Sequence, residues 1–256
     1  LIKRKHFGIP YAVFMVIFVL MPILLIIFYA FTNADGNFTL ENVTGLFTEQ
    51  YRRSAILRSV GMGISATAIC LLIGYPVAYI LSNRKYNKIS VLIILFLVPM
   101  WVHFLLRTIA TRELLQNFGL LEFSYFAVLF GLVYNFLPFM IFPIYSSLMR
   151  MDYSLQEASS DLGATNMQTF TRVIVPMSVP GIMAGTVMVL TPAISTFVIS
   201  DILSSGRVRL LGDLIFNYFE GRQHNVGAAL SLVLFMLVFV SLLLSKEEKT
   251  GRGASI

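Results

Sequence analysis

Few residues in this sequence have the type and spacing to do chemistry, and many of those that do are gathered in one place. Glu157, Asp161, Asn166 and Gln168 fall within QEASSDLGATNMQTFTRVIVPMSVPGI, residues 156–182. Ser154 and Glu157 have the spacing of a capping box, in which a hydroxyl and a carboxylate satisfy the free N–H groups of a helix start. Leu155, Ala158 and Leu162 then recur at helical intervals. Gly163 ends that turn, because glycine enters the left-handed conformation cheaply. Thr165 or Asn166 caps a second short helix carrying Phe170, Val173 and Ile174, which is expected to stop before Pro176. Such helices are too short to be stable alone in water, so the membrane face or a docked partner must hold them. Elsewhere reactive groups are sparse. The histidines, His6, His103 and His224, are far apart, and Cys70 is the one cysteine. No disulfide framework or multi-cysteine metal site follows from that. No GxxxxGK[ST] phosphate cradle is present, and an intramembrane enzyme would need a facing nucleophile and base that the sequence does not offer.

The elements that must position this polar stretch are apolar. Of 256 residues, 57% are hydrophobic and 12% charged, about half the charged fraction of a soluble domain. Lipid is the expected solvent. Charge-free runs long enough to cross a bilayer occur at 9–31, 59–83, 89–106, 123–149, 173–200 and 226–245. Six transmembrane helices in one domain, residues 1–256, is the economical count. It places the polar pair, 152–176, between the fourth and fifth. The chain opens at Leu1, which implies preceding residues, and the first run is too long for a removable signal peptide.

The net charge of +6 is scattered through short polar breaks rather than along one stripe, so nucleic acid is not expected. Lys3, Arg4 and Lys5 precede the first run, Arg84, Lys85 and Lys88 follow the second, and Lys246, Lys249 and Arg252 form the tail. With Arg150 and Arg172 these are more than half of the 19 basic residues, and they put both termini and the polar pair in the cytoplasm. Prolines 22, 76, 99, 138, 143, 180 and 192 lie in or at the edge of the runs and favour kinks. Gly181 and Gly185 form a GxxxG pair suited to close backbone approach, within the chain or to a partner. Arg107 is read as snorkelling to an interface, and His103 as a packing residue near Trp101.

Glu157, Ala158, Gly163, Ile174 and Pro176 together resemble the Glu-Ala-Ala loop of ABC importer permeases, with Ser159 where the third position is usually Ala. The likeness extends to LIGYPVAYIL (72–81), FLVPMW (96–101), GLVYNFLPFMIFPIYSSL (131–148), DLGA (161–164), PGIMAG (180–185) and SDIL (200–203). These stretches are similar to permease subunits of spermidine/putrescine importers, although 112–124 is shorter than in those proteins. The resemblance implies an all-α type I permease fold in a bacterial inner membrane. It also implies a second permease subunit, an ATPase dimer that binds ATP and magnesium, and an external polyamine-binding protein. This subunit would be non-catalytic and hold no cofactor. Glu157, Ala158, Ser159, Leu162, Gly163, Ala164, Ile174 and Pro176 would then couple to the ATPase. A polycation is best met by carboxylates and aromatic faces. Asp201, the acid nearest the apolar runs, with Trp101, Tyr134 and Phe197, is the expected substrate pathway. An importer of an anion or ferric ion remains the alternative, with a secondary transporter behind it for want of buried ionisable groups or inverted repeats.

Overall fold

The computed structural model describes residues 8–33, 35–83, 98, 100–122 and 124–251. Among them the chain is helical, and the one β feature is an isolated bridge between Thr32 and Phe38. In order the helices are α1 (Gly8–Met15), α2 (Met21–Ala30), α3 (Glu41–Thr48), α4 (Gln50–Ser82), α5 (Phe104–Asn117) and α6 (Ser124–Met149). There follow α7 (Ser154–Asp161), α8 (Asn166–Thr169), α9 (Val175–Ser195), α10 (Val198–Ser204), α11 (Leu211–Glu220) and α12 (His224–Gly251). Five stretches among the described residues are long and apolar enough to cross a membrane: Val13–Ala30, Gln50–Ser82, Ser124–Met149, Asn166–Ser195 and His224–Leu243. The run expected at 89–106 lies mostly outside the described residues, as do the side chains of the basic clusters at both ends and at 84–88.

Two prolines explain two irregular turns. Pro22 and Pro176 each follow a π-helical turn, Val16–Leu20 and Phe170–Ile174. The wide bonds close from Met21 N–H to the Val16 carbonyl and from Val175 N–H to the Phe170 carbonyl. The donor-less proline then falls one residue later, where the register has already shifted. The second short helix therefore does not stop before Pro176, contrary to the expectation from sequence. It runs through the π-turn into α9.

The core is the packing of α4, α6 and α9. Cys70 and Ala78 of α4, Met140, Ile141 and Ile144 of α6, and Val189 of α9 form one buried apolar cluster. A second cluster joins Met62 and Ala66 to Leu115, Leu132, Ala193, Ile199 and Leu203. The GxxxG pair works inside this core. A Cβ on Gly181 would stand 2.7 Å from the Pro143 carbonyl oxygen, and one on Gly185 would stand 2.8 Å from the Met140 sulfur. The close approach is thus to α6 of the same chain. A third cluster, with Leu46, Leu211, Leu214, Ala228 and Leu230, ties α3 and α11 to α12.

Three boundaries differ from the apolar runs. α4 starts at Gln50 rather than near Ser59, because Arg52 is satisfied at its first turn by Glu49 at 2.9 Å and by the Tyr218 hydroxyl at 3.1 Å. The run at 173–200 hides a break, since α9 ends at Ser195 and Thr196 is extended before α10 begins. Around residue 103 a further helix begins. His103 caps α5, its Nδ1 accepting from Leu105 N at 3.3 Å. Arg107 consequently lies in the first turn of α5. Its side chain is buried instead of reaching an interface. It is 9% exposed, and Nε and Nη1 are buried without a hydrogen-bond partner among the described residues.

Candidate functional site

Asp152, not a Ser154–Glu157 box, starts the polar pair. Its Oδ1 accepts from Ser154 N at 3.0 Å, and that bond holds its carboxyl below the usual range. Aspartate is as good a cap as serine, and placed two residues earlier it leaves Ser154 as the first helical residue. α7 then runs to Asp161, and the chain turns at Gly163, whose φ is +79°. The capping box belongs to the next helix. Thr165 N–H donates to Gln168 Oε1 at 2.8 Å, and Gln168 N–H donates to Thr165 Oγ1 at 3.4 Å. Ser159, in the position usually occupied by Ala, bonds Thr169 through their hydroxyls at 2.8 Å. This contact locks α7 to α8. Phe170 anchors the pair to α4 by edge contacts with Tyr75 and Tyr79, at 5.9 and 5.3 Å between centroids.

Folded this way, the pair encloses an open groove of about 700 Å³. Ala158, Ser159, Leu162, Gly163, Ala164 and Pro176 line it, as do Arg172 and Met177. Leu162 is 88% exposed at the rim, an apolar side chain left without cover. Two residues expected here lie elsewhere. Ile174 is buried in the core, because the π-turn rotates it towards α4 and α6. Glu157 is exposed but does not line the groove.

At the opposite end of α9 the structure scatters the other expected residues. Asp201 is exposed on α10, a separate short helix rather than the end of a long one. Phe197 stacks on Phe216 at 4.7 Å and 11°, so one ring face is already taken. Trp101 is 86% exposed and Tyr134 is 43% exposed on α6. No ring contact joins these aromatics to one another among the described residues.

Sequence reasoning missed Asp213. It is 7% exposed, and its Oδ2 accepts from Leu210 N and from the Ser200 hydroxyl, each at 2.7 Å. Burial pushes its carboxyl up to about 6, against the lowering by those two bonds. An acid at the third position of an amphipathic helix after a polar break was the available signal. The sign of its pH effect follows. A carboxyl whose folded value exceeds its unfolded one adds stability that is full below about pH 4 and is lost as pH rises through about 6. The Tm of the solubilised protein, compared with Asp213→Asn, is expected to fall across that window in the wild type relative to the variant. A pH-independent difference would contradict it.

Residues 71–245 match the family described as binding-protein-dependent transport system inner membrane component. The chain is 35% identical over 252 residues to the spermidine/putrescine transport system permease protein PotB of Escherichia coli (strain K12), covering 90% of this chain and 91% of that one. It is 37% identical over 247 residues to PotB of Haemophilus influenzae, covering 88% and 86%. Among solved structures, it superposes on a chain of a bacterial alginate ABC transporter, crystallised with an alginate pentasaccharide-bound periplasmic protein. That match has a TM-score of 0.68 at 15% identity, covering 95% of this chain and 92% of the other, a likeness of fold alone.

Proposed function

The chain belongs to the binding-protein-dependent transport system inner membrane component family, and from that membership we infer what its two ends do. It is a non-catalytic, multi-pass inner-membrane permease subunit of an ABC importer for spermidine and putrescine, with ATP hydrolysis on a separate subunit. The observation that carries the cargo is the likeness to PotB, which runs over nearly the whole chain. In our reading six helices span the bilayer, and both termini face the cytoplasm. The groove of α7 and α8 then receives a segment of an ATPase dimer that holds ATP and magnesium. Its apolar rim and open shape suit an inserted helix. Glu157, solvent-facing beside it, meets a basic side chain of that ATPase. A second permease subunit completes the path, and an external binding protein delivers the polyamine to the mouth around Asp201. Weak binding there favours release, leaving selection to the binding protein.

Measuring ATP hydrolysis by the purified complex in liposomes tests this. Spermidine-loaded binding protein is expected to raise the rate severalfold over the unloaded protein. A complex indifferent to polyamine but activated by an anion- or iron-loaded protein would assign the cargo to that alternative.

A further inference from the structure

Of the charged side chains among the described residues, Arg107 and Asp213 alone are buried. Arg107 has two nitrogens without a partner among the described residues, whereas Asp213 is built into a network around the helix that carries Asp201. Asp213 Oδ2 takes Leu210 N and the Ser200 hydroxyl, and Ser200 is the residue before Asp201. Ser204 donates to the Ser200 carbonyl at 2.7 Å and accepts from Val208 N at 3.0 Å, closing the loop that returns from α10 to α11. Leu211 N donates to Ser59 of α4 at 2.6 Å. α10 is thereby tied to α11 through Ser200 and to the return loop through Ser204, while α11 is itself tied to α4.

The Ser200 hydroxyl has a choice. It lies 2.7 Å from Asp213 Oδ2 and 2.8 Å from the Phe197 carbonyl, with one proton to give. An ionised carboxylate is the stronger acceptor. While Asp213 is charged the proton goes across to α11, and when the charge is lost it returns to Phe197 within α10's own turn. The charged groups acting on Asp213 are Asp201 of α10 and Arg209 of the return loop. Its helix otherwise packs on Ser59 of α4, on Ser195 of α9 and on Ala228, Ala229 and Leu230 of α12, and further along it meets Arg52 of α4 at Tyr218 and His224 of α12 at Phe219.

We propose that Asp213 is the positioning residue of the cargo mouth: through Ser200 its carboxylate clasps α10 and fixes where Asp201 presents its charge to the polycation. This rests on the reading of Asp201 as the receiving carboxylate. Asp213 itself does not touch cargo.

The test uses the whole complex in proteoliposomes, with spermidine and putrescine uptake normalised to assembled complex. Ser200→Ala removes the cross-helix bond, and Asp213→Asn keeps an acceptor but removes the charge that draws the Ser200 proton across. Each is expected to raise the KM for spermidine about tenfold at about pH 7.5, with kcat within about twofold. The rise should be smaller for putrescine, which carries fewer charges. Between about pH 7.5 and about pH 5.5 the wild-type KM should climb towards the variants' value, while theirs stays flat. Native KM values in both variants overturn the clasp. So does an equal loss for both polyamines with the wild-type pH slope, the signature of a purely structural role. Asp201→Asn separates the two levels. Near-native uptake by that variant removes the cargo reading and this inference with it. Impaired Asp201→Asn beside native Ser200→Ala removes this inference alone.

Discussion

Gly163→Pro is expected to abolish polyamine uptake while the subunit still inserts in the membrane. The position has φ of +79°, and proline is locked near −65°. The substitution also deletes the N–H that bonds the Ser160 carbonyl at 2.9 Å. α7 and α8 can then no longer meet at the angle that opens the groove. Gly163→Ala is the graded control. A Cβ there meets nothing within 4 Å, so its cost is conformational alone, about 1–2 kcal/mol. Uptake per inserted subunit, with co-purification of the ATPase, decides the matter. Native uptake and ATPase retention in the proline variant would mean that the bend does not shape the docking surface.

Gly181→Leu should have an effect of similar size by a different route, loss of the folded subunit itself. A Cβ at Gly181 falls 2.6 Å from Ser147 Cβ, 2.7 Å from the Pro143 oxygen and 3.0 Å from Ile144 Cα. Two of those are backbone atoms of α6, which cannot rotate away. Even Gly181→Ala forces α6 and α9 apart, an overpacking cost of about 1–3 kcal/mol, and leucine adds three more carbons to the same gap. Gly61→Ala, in α4 where nothing lies within 4 Å, should be close to neutral. Assembled complex after detergent extraction is the measurement. Wild-type yield from Gly181→Leu would show that the helices separate without penalty.

The long apolar runs made most spans legible, because length and absence of charge are read directly from sequence. The break at Thr196 was not, since both sides of it are apolar and composition is blind to a single extended residue. Ser154 and Glu157 had the right spacing for a cap, but Asp152 competes for the same N–H and lies nearer the turn. Arg107 followed the usual expectation for a long cation near a span end, an expectation that depended on where α5 starts. Ile174 shared a sequence neighbourhood with groove residues and was rotated out of it by a π-turn, which adds a residue per turn and has no sequence signature beyond the proline after it. Asp213 was passed over because Ser200, its partner across the turn, becomes a neighbour only when the chain folds back after α10.

Joined through its π-turn, the helix from Asn166 to Ser195 is 30 residues long, a rod of about 45 Å. Its foot carries Gln168, Arg172, Val173, Pro176 and Met177 of the groove. Its head abuts the far end of the molecule so closely that a Cβ on Gly212 would stand 2.5 Å from the Ser195 oxygen, one residue from Asp213. For a rod of that length, a tilt of about 5° about the foot carries the head sideways by about 4 Å, more than the length of a hydrogen bond. A small rocking of the groove is therefore enough to displace Gly212 and its neighbours by a full hydrogen-bond length, with Pro180 and Pro192 the points along the rod where bending can absorb it.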